Sequence, residues 1–265
     1  MVKEFQNKNE WALILGGSSG LGLATAKKLA NHGMNICIVH RSPRSQMKSI
    51  KKCFQEIKND GIEFISFNKD AVNSSKVEEI LSELIIKLGK NGKIKVMVHS
   101  IAKGNLKPMI SNNESNLQTD DFQITINAMA ISLYTWFKSV FIKNLFTKDA
   151  RVVSFTSEGN SKPLKTYAAV SAAKSSLESI SRNIALEFSQ FGIRSNCIQA
   201  GVTDTPSLKL IPNSEEIKEY KQKRNPLGRL TKPEDVANVV YLLCKDEASW
   251  INGTIIKVDG GESLI

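Results

Sequence analysis

The chain predicts an α/β protein: a single doubly wound parallel sheet of about seven strands with helices on both faces, spanning residues 1–265 as one domain. Three observations carry this reading. Short apolar runs alternate with longer amphipathic segments without a break, a glycine turn joins the first run directly to the first amphipathic segment, and no internal repeat or low-complexity linker divides the chain. Its 265 residues are ample for a buried core.

Trp11-Ala12-Leu13-Ile14-Leu15 is an apolar run of the kind a buried parallel strand needs. Gly16-Gly17-Ser18-Ser19-Gly20-Leu21-Gly22 follows, and then the amphipathic stretch Leu23–Ala30. Strand, glycine turn and helix in that order suit a dinucleotide. Gly16 permits the tight turn, Gly20 lets backbone approach a diphosphate, and Gly22 allows close helix packing. A plain glycine-rich connection is the alternative. Asn35–His40 is the second strand, and it ends on His40 and Arg41, with Arg44 beyond. An acidic residue there would accept ribose hydroxyls, whereas a guanidinium suits a 2′-phosphate, so NADPH is expected ahead of NADH.

Arg44–Asn59 reads as helix, Glu63–Asn68 as the third strand closing on Lys69-Asp70-Ala71, and Ser74–Leu88 as a helix with apolar Val77, Ile80, Leu81, Leu84, Ile85 and Leu88. Ile94–Val98 is the fourth strand, leading into His99-Ser100-Ile101-Ala102-Lys103-Gly104. Thr119–Phe146 reads as one long helix containing Asn127, its aromatics Tyr134, Trp136, Phe137, Phe141 and Phe146 assigned to core or subunit contacts. Arg151–Thr156 and Arg194–Gln199 are the fifth and sixth strands, the latter running into Ala200-Gly201-Val202-Thr203-Asp204-Thr205. Residues 207–225 have little apolar periodicity and read as a mobile flap or short helices over a pocket, a substrate flap around 205–225. Pro233–Cys244 is a helix and Thr254–Val258 the last strand.

Composition narrows the function classes. Of the charged residues 36 are basic and 26 acidic, a net +10, but the lysines are spread along the chain without a basic block, which argues against nucleic acid. No apolar run approaches the roughly 18 residues of a membrane span, and the polar start lacks a signal-peptide core. Cys37, Cys53, Cys197 and Cys244 are scattered and only His32, His40 and His99 occur, so a metal cage is not expected and reduced thiols in a cytoplasmic setting are.

Residues 166–178 hold the chemistry. The run lacks Gly and Pro and should open a long helix at Thr166. Tyr167 and Lys174 are seven residues apart; seven steps of about 100° fall about 20° short of two turns, so both leave one face with about 10 Å of rise between them. A phenol beside an ammonium is a usable acid, because the positive charge favours the phenolate. The ordinary alternative is a capping tyrosine and a solvated lysine.

Together these residues resemble the short-chain dehydrogenase/reductase family, whose Rossmann fold the whole chain matches in order: Gly16-x-x-x-Gly20-x-Gly22, Asp70-Ala71, Asn127, Ser157, Tyr167, Lys174 and Asp259-Gly260-Gly261. The common family pattern places three residues between Tyr and Lys, and neither Val170 nor Ser171 supplies a phenol. Tyr-x6-Lys, Val98-His99-Ser100-Ile101 and Ala200-Gly201-x-x-x-Thr205 resemble the enoyl-acyl-carrier-protein reductase branch instead. Ser157, where that branch has a second aromatic residue, the compact glycine loop and Asn127 are features of ketone reductases. The mixture resembles the NADPH-dependent enoyl reductase subtype.

The resemblance implies reduction of a trans-2-enoyl thioester of fatty acid synthesis, with Tyr167 stabilising the enolate oxygen, Ser157 assisting, Asn127 completing the catalytic set and Lys174 holding the nicotinamide ribose. It further implies cofactor contacts from Gly16, Ser18, Ser19, Gly20, Leu21, Gly22, His40, Arg41, Asp70, Ala71, Ser100, Ile101, Ala102, Gly201, Thr203 and Thr205, and a substrate contact at Gly104. An acidic acyl carrier protein is the implied partner, and a homotetramer built on the helices 119–146 and 166–191 the implied assembly. Two alternatives stand beside this reading: a 3-oxoacyl or ketone reductase of the same family, and a cofactor-binding regulator that has lost catalysis.

Overall fold

The computed structural model describes residues 3–58, 61–112 and 115–265. Seven parallel strands form one sheet in the order β3-β2-β1-β4-β5-β6-β7, with β1 Glu10–Leu15, β2 Asn35–His40, β3 Phe64–Asn68, β4 Lys93–His99, β5 Phe146–Thr156, β6 Ile193–Ala200 and β7 Ile255–Val258. The central strands carry apolar runs, Trp11–Leu15 in β1 and Val96–Val98 in β4, because both of their faces are covered. Alternation along β1 sorts its side chains into two cores: Trp11, Leu13 and Leu15 on one face, Ala12 and Ile14 on the other.

The first face packs against α3 (Ser74–Leu88), α5 (Ser132–Ile142) and α6 (Ala168–Phe188) through Leu81, Leu84, Trp136, Phe137 and Leu177. The second packs against α1 (Gly20–Asn31), α2 (Met47–Gln55) and α8 (Pro233–Leu243) through Leu29, Phe54, Val236 and Val240. The remaining helices are α4 (Thr119–Ile126) and α7 (Ser214–Arg224). Because β1 lies between β2 and β4, the chain reverses its winding there, and a crevice opens beyond the carboxyl ends of these strands.

Several boundaries differ from expectation. The segment 119–146 is not one helix: α4 gives way to a π-helical turn, Asn127–Ile131, before α5, and α5 ends at Ile142. Asn144 then takes a left-handed conformation, φ 52°, which stops the helix and releases Phe146 to begin β5. Thr147–Ala150 bulges from the β4 ladder, since Phe146 pairs with Ile94 and Arg151 with Val96. Of the aromatics assigned there, Trp136 and Phe137 are fully buried while Tyr134 is exposed. The stretch expected as Arg44–Asn59 is a 3₁₀ turn followed by α2, which stops at Gln55; Asn59 lies outside the described residues. Helix α6, expected to open at Thr166, begins one residue after Tyr167 and ends at Phe188, with a 3₁₀ turn to Phe191. Residues 207–225 form the short-helix alternative: a 3₁₀ turn at Leu208–Leu210, then α7. No helix among the described residues is long and apolar enough to cross a membrane.

Candidate active site

A cleft of about 870 Å³ occupies the crevice at the carboxyl ends of the strands. At its floor Gly16 has φ +89°, and a Cβ there would sit 2.3 Å from the Ser100 carbonyl oxygen. Gly22 is needed for the same closeness, its missing Cβ falling 2.4 Å from the Gly16 carbonyl oxygen. Ser18, Ser19, Gly20 and Leu21 line the cleft where α1 begins. The Ser19 side chain makes no cap bond and the first turn of α1 carries no acid. Its amides and positive dipole end are therefore available to an anion, and the turn fits a diphosphate. Thr205 closes over it, its Cγ2 lying 3.3 Å from where a Gly20 Cβ would be.

The far end of the cleft is built by His40, Arg41, Asp70 and Ala71. Arg41 Nη1 donates to Asp70 Oδ2 at 2.6 Å. Burial pushes the Asp70 carboxyl up, but the Val72 amide and Arg41 outweigh it and hold the group below its usual value. His40 is buried, its Nδ1 lies 2.9 Å from Ser42 Oγ, and burial lowers its pKa, so it is a neutral ring here and not a second cation for phosphate. Ser42, which lies between the ring and Ser18 Oγ at 3.3 Å, has no distinguishing motif.

Ser157, Tyr167 and Lys174, the residues expected to be catalytic, line another part of the cleft. Ser157 Oγ and Tyr167 OH are 3.4 Å apart. Thr166 has φ 63°, and Tyr167 is the N-cap of α6, one residue ahead of its first turn; the tyrosine reaches the cleft from the cap, and Lys174 lines the same cleft. Gly159 makes room for its ring, since a Cβ there would fall 2.6 Å from Tyr167 Cε1. Lys174 is buried and donates from Nζ to the Phe155 carbonyl oxygen at 2.6 Å. Burial lowers its pKa to about 8, against the opposing influence of Cys197 and Glu178. Burial also raises the Tyr167 pKa, with the Ser157 hydrogen bond working the other way. The phenol is thus a neutral donor, and the lowering expected from Lys174 is replaced by the effect of burial.

Ser100, Ile101, Ala102, Gly104, Gly201 and Thr203 also line the cleft. Thr203 Oγ1 donates to the Gly201 carbonyl oxygen at 2.8 Å. Two expected members do not reach the cleft surface: Gly22 acts through packing, and Asn127 is exposed at the start of the π turn, which instead delivers Met129 to the cavity. Sequence reasoning missed the apolar wall formed by Leu106, Met129, Leu164, Val170, Leu208 and Ile217. It also missed Lys221, which binds Glu158 and, at 3.2 Å, Glu262, tying α7 to the loop after β5. Their signal is spread over segments far apart along the chain, and no local spacing marks it. No cluster of His, Cys, Asp or Glu among the described residues could hold a metal ion.

A family model described as enoyl-(acyl carrier protein) reductase matches residues 16–263. A 7α-hydroxysteroid dehydrogenase of Paraclostridium sordellii is 28% identical over 260 residues, 97% of this chain and 93% of its own. A tropinone reductase homologue of Arabidopsis thaliana is 26% identical over 262 residues, 98% and 94% respectively. The enoyl-acyl carrier protein reductase of Bacillus cereus, solved with NADP+ and indole naphthyridinone, superposes with a TM-score of 0.86 over 100% of this chain and 99% of its own at 23% identity, a likeness of fold. With its glycine turn, its switch-point cleft and its Ser157, Tyr167 and Lys174 assembled in one place, the chain belongs to the short-chain dehydrogenase/reductase family, oxidoreductases that use a nicotinamide cofactor.

Proposed function

We propose that the protein is an NADPH-dependent reductase of the 2,3 double bond of trans-2-enoyl thioesters, carried on an acidic acyl carrier protein. The observation that carries this reading is the position of Tyr167: it stands at the N-cap seven residues before Lys174, with no phenol at the ordinary place one turn before the lysine. The apolar wall of Leu106, Met129, Leu164, Val170, Leu208 and Ile217 supports an acyl chain as the bound group, and the matched family model supports the same class.

When bound, a reduced nicotinamide would supply hydride for the β-carbon of the substrate, and the α-carbon would take its proton from solvent. Tyr167, neutral and buried, donates a hydrogen bond to the thioester oxygen on which negative charge collects. Ser157 shares that donation from 3.4 Å away. Lys174 binds the ribose hydroxyls, and α7 with the Leu208–Leu210 turn keeps water from the acyl chain. Arg41, directly after β2 where the sequence has His40-Arg41 and not an acidic residue, supports NADPH over NADH. The +10 net charge suits an acidic carrier protein, and α4–α5 and α6 are the faces for a homotetramer.

A second reading has its own support. The Ser157–Tyr167 pair and the hydroxysteroid and tropinone-type relatives favour proton donation to a carbonyl oxygen, a 3-oxoacyl or ketone reduction. Purified protein with NADPH, offered crotonyl-CoA and acetoacetyl-CoA in parallel, separates the two. Oxidation of NADPH with crotonyl-CoA is expected; oxidation with acetoacetyl-CoA alone overturns the enoyl assignment.

A further inference from the structure

Behind the reacting groups lies a buried carboxylate that the reaction as described does not use. Glu178 is four residues beyond Lys174 on α6, so both side chains leave the same side of the helix one turn apart. It is 6% exposed. Its Oε1 accepts from Thr156 Oγ1 at 2.6 Å and from Asn160 Nδ2 at 2.5 Å. Thr156 is the last residue of β5 and immediately precedes Ser157; Asn160 comes three residues after it. One carboxylate oxygen thus grips the chain on both sides of the catalytic serine. The Asn160 amide oxygen is itself buried without a hydrogen-bond partner, so Glu178 is what fixes the orientation of that amide.

We propose that Glu178 is a positioning residue, anchoring the strand end and loop that present the Ser157 hydroxyl to Tyr167 and supplying the carboxylate behind Lys174. Ser157 sits between two anchored neighbours, so its distance to Tyr167 is set from α6, the element that also carries Lys174 and is capped by Tyr167. One helix therefore holds the phenol at its cap, the ammonium in its second turn and the clamp on the serine loop in its third.

The charge matters as well as the geometry. The groups acting on or facing Lys174 are His99 from β4, Cys197 from β6, Tyr167 at the cap and Glu178 on α6 itself. Burial lowers the His99 pKa to about 3 and raises that of Cys197 to about 11, which leaves both neutral near pH 7. Tyr167 is neutral for the same reason, and Arg182 acts on Cys197 but not on the lysine. Glu178 is the group among these that supplies negative charge to offset the burial of the ammonium.

The proposal rests on the use of Ser157, Tyr167 and Lys174 and not on the choice between double bond and carbonyl. Its test is Glu178→Gln, which keeps the shape and removes the charge, beside Thr156→Val, which removes one arm of the clamp and keeps the charge. The Lys174 titration is read in the cofactor-free protein by NMR of 13Cε-labelled lysine, with Lys174→Met identifying the resonance. Turnover of crotonyl-CoA and acetoacetyl-CoA is measured on the same samples. Glu178→Gln is expected to move the Lys174 midpoint down by about one pH unit and to cut kcat at least about 10-fold with KM within about 3-fold. Thr156→Val is expected to lower kcat with the midpoint unmoved. An unshifted midpoint in Glu178→Gln, or a wild-type kcat in that variant, overturns the proposal. Absence of turnover by the wild-type protein with both thioesters would count against the proposed reaction instead, and the titration would then decide the role of Glu178 by itself.

Discussion

The Ser157 hydroxyl lies 3.4 Å from the Tyr167 phenol oxygen, a pairing made across ten residues of loop and closed by a glycine against the tyrosine ring. Both residues line the cleft, and burial keeps the phenol protonated. A neutral pair of donors is what stabilises charge that develops only during reaction.

Tyr167→Phe removes one of these donors and leaves the cleft otherwise lined as before. Turnover should fall by about 10²–10⁴-fold, the scale of a lost acid or oxyanion donor, while the NADPH dissociation constant stays within about 2-fold. Steady-state kinetics and fluorescence titration check both halves. Normal turnover in this variant would take the acid away from Tyr167.

Gly159→Ala tests the seat of the ring. The added methyl would fall 2.6 Å from Tyr167 Cε1, so the ring or the loop has to shift. A displacement of about 1 Å at a reacting group can cost on the order of 10²-fold, and a loss of that order in kcat with unaltered NADPH affinity is expected. Unchanged kcat would mean that the ring has room the structure does not provide.

Arg41→Ala separates the two cofactors. The guanidinium faces the end of the cleft where a 2′-phosphate would lie and is held 2.6 Å from Asp70. Loss of a charged hydrogen-bond donor to phosphate should weaken NADPH by about 10-fold or more and NADH by much less. Titration of each cofactor against wild type and variant reads the difference. Equal weakening would remove the basis for preferring the phosphorylated form.

Lys174 makes the fold itself sensitive to alkaline pH. Its pKa is about 8 in the folded protein against 10.5 for an ordinary lysine. Between those values the unfolded chain binds more protons than the folded one, so this group's contribution makes the protein more stable as pH rises across that window. Below it the buried ammonium carries its full cost, and above it the cost is gone. Urea unfolding at a series of pH values should show a steeper rise for wild type than for Lys174→Met. Parallel curves would contradict the burial of a charged lysine.

Much of this was legible in the residues alone. The α3 segment Ser74–Leu88 follows from its apolar spacing, and β1 with the glycine turn follows from an apolar run meeting Gly16. Local signals suffice where one element's own periodicity decides its state. The helix expected over 119–146 failed because its apolar content continued into β5, and only Asn144 in a left-handed conformation marks the break. Asn127, at the start of the π turn, does not line the cavity, whereas Met129 two residues on does, a difference that no local spacing marks.

The sequence by itself determined the doubly wound α/β fold, the glycine turn and the seven-residue interval between Tyr167 and Lys174, since each is a property of neighbours along the chain. Only the tertiary structure decided which groups share the cleft, that Tyr167 enters from a helix cap, that Lys174 binds the Phe155 carbonyl, and that Glu178 grips both sides of Ser157. Those relations join segments held apart in sequence, and burial, which sets their protonation, exists only once the layers have packed.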